Sequence, residues 1–356
     1  AELVMGKTKK RPAAIIKNFE FKENTGNIQS IIRPKDEDLF RWLIKSEILK
    51  LIEMLRTELH CHNVFSNGHV GELEPPFDCN VTINEQLEKA HTEDLDVLFV
   101  TNHNTLDGFK QISDYKNNHE KFSNLQIYPA VEITTDKEAH VLVYGLHEEI
   151  KSNQTIDEII DAAKSQDAVT VAPHPFSLID ALRNDSTKCD LFEVFNSSNI
   201  DIHSNKKAEI FAKENNLLTL AGSDSHVAST IGRCTNLIHS ENNLDDILYS
   251  MKKGKITIEK TEYVKRHEVL EHLQYKIGSS KAYIDEYVRE FYPKYAWLFN
   301  QMYKSYMSTK NSFIWDVFFK LALFGLRRIS YKINFEGYDP YAFRSRDIPT
   351  ITRMVF

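Results

Sequence analysis

The chain has 356 residues, 42% hydrophobic and 27% charged, with a formal net charge of −7. These are the proportions of a soluble globular protein with a sizeable core, and they exclude a uniformly basic nucleic-acid coat. The four cysteines (Cys61, Cys79, Cys189 and Cys234) form no CxxC pair and suggest no disulfide framework, so reduced thiols and a cytoplasmic setting are expected.

Residues 1–36 are polar and basic, carry Lys7, Lys9, Lys10 and Arg11, and contain no apolar run of signal-peptide length. They read as an extension. Leu39, Leu43, Ile44, Ile48, Leu51, Ile52 and Leu55 then recur at helical spacing, so residues 1–55 are expected to be an extension plus a helix.

From residue 56 to residue 262 short apolar runs alternate with amphipathic stretches. The runs are Asp96–Thr101, Gln126–Val131, His140–Tyr144, Ala168–Ala172, Leu191–Phe195 and Leu217–Ala221; helical patterns include Ile83–His91, Ile156–Ser165 and Asn205–Glu214. Strands alternating with helices predict an α/β fold with a parallel sheet, and this many units suggests a barrel.

Residues 263–356 differ. Glycine becomes scarce and aromatics crowd in (Tyr283, Tyr287, Phe291, Tyr292, Tyr295, Trp297, Phe299, Tyr303, Tyr306), which predicts a C-terminal, mainly helical segment. It carries 15 Lys/Arg against 9 Asp/Glu, a charge of +6 that leaves −13 elsewhere. Aromatic rows at helical spacing are expected to be core; interleaved with basic residues they could also stack single-stranded nucleic acid. Residues 313–329 form the most apolar stretch, interrupted or flanked by Asp316, Lys320, Arg327 and Arg328. This pattern predicts a buried or interfacial helix, lying on a membrane surface or a protein partner, and no transmembrane span.

The chemistry-bearing residues sit at the ends of the apolar runs, where parallel α/β barrels gather their sites. They are His60-Cys61-His62, Asn102-His103, Glu132, His140, His174 and Asp224-Ser225-His226. Residues i and i+2 of a strand share a face, so His60 with His62, and Asp224 with His226, could each ligate one ion. Imidazole and carboxylate suit zinc, manganese or iron. The other histidines, His69, His91, His119, His147, His239, His267 and His272, follow no such pattern and read as structural or solvated.

In this order the motifs resemble the PHP family, the polymerase and histidinol phosphatase superfamily. The resemblance is carried by His60-Cys61-His62, Thr101-Asn102-His103-Asn104-Thr105, Val131-Glu132-Ile133, His140, Pro173-His174-Pro175, Phe192-Glu193-Val194-Phe195-Asn196, Ala221-Gly222-Ser223-Asp224-Ser225-His226 and Gly232-Arg233. It covers residues 56–260 and is nearest to the branch of small phosphoesterases acting on nucleotides and oligonucleotides. It implies a distorted (β/α)7 barrel holding two or three divalent ions. His60, His62, Glu132 and Asp224 would hold the first ion, and Glu132, His140 and His174 the second. His103 and His226 would hold the third together with an aspartate.

That aspartate departs from the family pattern. The expected Ser-Asp-Gly reads Ser66-Asn67-Gly68, so either the third site is weak or Asp78 replaces the aspartate after an insertion over His69–Phe77. Asn102 stands where the family has an aspartate and reads as orienting a ligand. Arg233 is expected to clamp phosphate and His203 to protonate the leaving oxygen. Arg183, Lys188 and Asn196 are candidate substrate contacts, and Glu193 a ligand-orienting carboxylate. The resemblance therefore implies a hydrolase of phosphate esters, acting on nucleotides, short oligonucleotides or a small phosphomonoester such as histidinol phosphate. The non-catalytic alternative is a PHP scaffold with a degraded third site that binds nucleic acid, a membrane surface or a protein.

Overall fold

The computed structural model describes residues 54–71, 74–309, 313–340 and 354. The extension and helix expected over residues 1–55 lie outside the described residues, except that Met54 and Leu55 open the first strand.

Strand β1 (Met54–Cys61) is followed by helix α1 (Ile83–Thr92), β2 (Val97–Val100), α2 (Asp107–Asn117), β3 (Gln126–Thr134) and β4 (His140–Tyr144). Then come α3 (Ile156–Lys164), β5 (Val169–Ala172), β6 (Leu191–Asn196), α4 (His203–Asn215) and β7 (Thr219–Gly222). Next are β8 (Cys234–His239), α5 (Leu244–Lys252) and β9 (Ile256–Thr261), and finally α6 (Arg266–Ser279), α7 (Lys281–Phe291), α8 (Ala296–Thr309) and α9 (Phe313–Phe335).

The local chemistry accounts for these boundaries. Thr82 with Glu85, and Thr155 with Glu158, close capping boxes that satisfy the free amides opening α1 and α3. In α3 the buried residues Ile156, Ile159, Ile160 and Ala163 recur every three or four positions and face the sheet.

The nine strands form one mixed sheet in the order β7-β6-β5-β4-β3-β2-β1-β8-β9. It nearly closes. Beyond β7, Ser225 pairs in parallel with Cys61, Asp224 N donates to His60 O at 2.7 Å, and His62 N donates to Ser225 O at 3.0 Å. The seam thus lies between the two segments that carry the His-x-His and Asp-x-His pairs.

The mixed α/β, nearly closed sheet agrees with the expected distorted barrel, but the expected parallel run of strands does not hold throughout. β4 runs antiparallel to both β3 and β5. Only residues 135–139 separate β3 from β4, too few for the helical crossover that parallel neighbours need. β8 and β9 are further antiparallel additions; in β9 exposed residues alternate with one buried and two half-buried ones, so it offers no continuous apolar run.

Phe99, Tyr144 and Phe192 are among the largest fully buried side chains. Each such ring contributes about 2–3 kcal/mol by leaving water. The Tyr144 hydroxyl donates to Leu59 O at 2.7 Å, so the phenol is satisfied inside the core and braces the strand that carries His60.

The C-terminal aromatics are less enclosed than core residues: Trp297 is 69% exposed and Phe313 78%. α7 and α8 pack on each other, and α9 packs on α4. Phe313, Ile314, Phe318, Leu321 and Phe324 leave an apolar stripe on α9 in solvent. Among the described residues no helix is long and apolar enough to cross a membrane.

Candidate metal centre

Strand ends bring the candidate ligands together. His60 and His62 leave the end of β1, Glu132 lies on β3, His140 opens β4, His174 follows β5, and Asp224 and His226 follow β7. His60, His62, Glu132, His140 and His174 are all buried.

Glu132 stands at the middle. Its Oε1 lies 3.0 Å from both His140 Nδ1 and His174 Nε2. Its Oε2 lies 3.3 Å from His60 Nε2, 3.2 Å from His62 Nε2 and 3.5 Å from His103 Nδ1. One carboxylate oxygen therefore faces each group of imidazoles. Asp224 Oδ1 comes within 3.5 Å of His60 Nε2, His62 Nε2 and His226 Nδ1.

Asp78 Oδ2 lies 2.6 Å from His226 Nε2 and 3.4 Å from His103 Nε2. Asn67 is elsewhere: its oxygen accepts from the main-chain amides of Asp78 and Cys79, and its amide donates to Cys79 O. Of the two candidates for this position, Asp78 reaches the cluster and Asn67 braces the turn that delivers it.

Polar side chains around the cluster fix its orientation. His60 Nδ1 lies 2.9 Å from Glu193 Oε1, and Glu193 Oε2 accepts from His174 N at 2.6 Å and from Asn196 Nδ2 at 2.8 Å. Asn196 also donates to Asp224 Oδ2 at 3.3 Å, so it orients a carboxylate and is tied within the cluster. Asn102 accepts from Ser66 Oγ, which in turn lies 3.1 Å from His62 Nδ1. Gly222 is needed beside them, because a Cβ there would overlap Glu193 Oε1 and His60 Cβ. His174 (φ 28°) and Asp224 (φ 50°) hold left-handed backbone, a strain of about 1–3 kcal/mol each that the surrounding bonds sustain.

The charges are strongly coupled. Burial would raise the Glu132 carboxyl, yet His140, His60 and His103 hold it well below the usual range. Burial opposes charge on His140 and His226, and facing carboxylates (Glu132 and Asp78 respectively) push each up to about 9. Burial, reinforced by neighbouring His226, lowers His62.

The donor set fits divalent cations. Among the described residues, eight buried side-chain polar atoms have no hydrogen bond, and six belong to this cluster: His62 Nε2, Asp78 Oδ2, His103 Nδ1, both nitrogens of His140 and His174 Nδ1. Lone pairs left facing one another in a dry site are costly unless a cation takes them up. The His and carboxylate mixture suits zinc, manganese or iron.

Other expected residues make contacts outside the ligand set. Arg233, expected at phosphate, instead donates to Glu262 Oε2 at 2.7 Å and to Glu268 Oε1. His203 opens α4 with its ring against Tyr331 and Phe335. Arg183 donates to Ser177 O at 2.9 Å and Asn334 Oδ1 at 3.1 Å, and Lys188 donates to Asp157 at 2.9 Å. In each case nearby acceptors or rings already engage the side chain.

Four residues that carried no strand-end pattern join the cluster. Asp180 Oδ1 lies 3.3 Å from His174 Nδ1 and Glu74 Oε1 lies 3.7 Å from His140 Nε2. His272, read from sequence as structural or solvated, stacks on His226 with ring centroids 4.7 Å apart. Lys276 donates to Asp78 Oδ1 at 2.7 Å. Only the helical spacing of His272 and Lys276 could have signalled that these two act together.

A family model described as PHP-associated matches residues 203–256. An uncharacterized protein of Methanocaldococcus jannaschii is 28% identical over 151 residues, which are 41% of this chain and 85% of that protein. Among solved structures, PsfC of Pseudomonas syringae is 16% identical with a TM-score of 0.45, covering 63% of this chain and 98% of its own. A lesion-specific endonuclease of Pyrococcus furiosus is 17% identical with a TM-score of 0.43, covering 58% of this chain and 57% of its own.

Proposed function

From the premise that this chain is a PHP-type protein, with its PHP-associated region at residues 203–256, we propose that it hydrolyses phosphate esters with divalent metal ions. The substrates are nucleotides or short oligonucleotides. One observation carries the reading: Glu132 turns one oxygen to His140 and His174 and the other to His60, His62 and His103. That is the arrangement a bridging carboxylate between two cation positions requires.

His60, His62, Glu132 and Asp224 would hold one ion, and Glu132, His140 and His174 a second. Asp78, His103 and His226 would hold a third. Such ions supply Lewis acidity toward phosphate oxygens and acidify water at neutral pH. The chain's own part is positional. Glu193 fixes His60 and the loop of His174, Asn196 fixes Asp224, and Lys276 places a cation beside Asp78. The closeness of Asp78 to His226 supports a complete ligand set over a degraded binding scaffold.

The test is a hydrolysis assay of manganese-supplemented protein. The substrates are a nitrophenyl phosphomonoester, its diester, a 5′-nucleotide, histidinol phosphate and a short single-stranded oligonucleotide. Turnover of the nucleotide or oligonucleotide, lost on chelation and lost in Glu132→Ala with the fold retained, is the expected result. A metal-loaded protein that hydrolyses none of them, or an equally active Glu132→Ala, would overturn the reading.

A further inference from the structure

We propose that His272, on helix α6 outside the barrel, is a ligand of the divalent ion gathered at Asp78 and His226. The inference rests on the reading of this cluster as a metal centre, and it adds a ligand from the C-terminal helical region.

Three observations converge on this residue. A ring nitrogen of His272, a ring nitrogen of His226 and a carboxylate oxygen of Asp78 lie within 4.8 Å of one another. The His272 and His226 rings stack at 4.7 Å with an interplanar angle of 19°. His272 Nε2 lies 2.8 Å from the main-chain oxygen of Asp78 and 3.8 Å from its Oδ1; to serve a cation it would give up the bond to the main chain, with the ring proton on Nδ1.

The helix is anchored in this register by its own polar face. Glu268, His272 and Lys276 recur every fourth residue and so lie on one side of α6. Glu268 pairs with Arg233, Lys276 pairs with Asp78 Oδ1, and the Tyr275 hydroxyl accepts from Asn67 Nδ2 at 3.0 Å. Lys276 occupies Oδ1, while Oδ2 faces His226 Nε2 at 2.6 Å. The Asp78 carboxylate thus offers a cation its second oxygen on the side shared with His226. A small cleft of about 80 Å³ opens beside His226, walled by Asp224 and His226 from the barrel and by Glu268, Val269 and His272 from the helix.

The bland alternative is that His272 only pins α6 through the Asp78 main chain. Cobalt spectroscopy on the full chain separates the two. In His272→Cys loaded with Co²⁺, a thiolate at position 272 should give a near-ultraviolet sulfur-to-cobalt charge-transfer band absent from the wild type. In His272→Gln, chelator competition should show the weakest Co²⁺ position losing about ten- to a hundredfold in affinity. Circular dichroism of the metal-free variants checks that both are folded. No new band together with unchanged affinity would overturn the proposal and leave the metal centre intact. A wild type that takes up no Co²⁺ would instead overturn the metal centre itself, and this ligand with it.

Discussion

His60 Nδ1 and Glu193 Oε1 meet at 2.9 Å with both side chains buried. The carboxylate only accepts, so the bond places the proton on Nδ1 and leaves Nε2 facing Glu132 and Asp224. A carboxylate behind a metal-binding imidazole fixes its tautomer and raises its basicity. Glu193→Gln keeps the shape and removes the charge. It should lower divalent-ion affinity about ten- to a hundredfold, read by equilibrium dialysis with elemental analysis. Unchanged affinity would reduce Glu193 to a packing residue.

The Asp78 position gives a paired comparison. Asp78→Asn removes the charge that faces His226 and His103, so the chain should lose one bound equivalent or bind its weakest ion much less tightly. Asn67→Asp should restore nothing in that background, because Asn67 is turned toward Cys79 and Tyr275. Metal content of the single and double variants decides this. Recovery in the double variant would move the ligand back to position 67.

How much of this was readable beforehand depended on whether the signal was local. His60 with His62, and Asp224 with His226, announce themselves by a period of two beside apolar runs, and strands supply that geometry wherever they occur. Asp78 was readable as an alternative because a helix start follows it at Thr82. Asp180 and Glu74 carry no local mark, and the helical spacing of His272 with Lys276 does not by itself point at the cluster. They reach the cluster through loops and through a helix nearly two hundred residues from Asp78, and only the folded chain sets those distances. The strand direction of β4 hid for a similar reason: His140–Tyr144 looks alike in either direction, and the short link from β3 decides it. Arg233 stood out because a basic residue after a ligand pair is compatible with phosphate, while its partners Glu262 and Glu268 come from later segments that the motif does not show.

Metal-free and metal-loaded protein should respond to pH in opposite directions. In the metal-free chain burial disfavours charge on His140 and His226, but Glu132 and Asp78 push each up to about 9, against 6.5 for the free side chain. A raised folded pKa contributes stability that is full below 6.5 and is lost as pH rises through about 9. The metal-free Tm should therefore fall across that window. Metal binding needs the same imidazoles deprotonated, so ion affinity, and with it the stabilisation by manganese, should rise over the same window. Thermal unfolding at pH 6.5 and pH 9, with and without manganese, checks the divergence. Parallel curves would sink the coupling.

Arg233 separates a structural role from a substrate role. Its side chain is 12% exposed and its partner Glu268 1%, and together they fasten α6, which carries His272 and Lys276, to the start of β8. Arg233→Met keeps much of the apolar stem and removes the charge. Glu268 retains its bond from Lys265 N but loses its cation, which should cost about 1.5–3 kcal/mol of stability. The expected outcome is a lower metal-free Tm together with a KM for a small phosphate ester that stays near the wild-type value. The reverse pattern, a raised KM at unchanged Tm, would return Arg233 to the substrate.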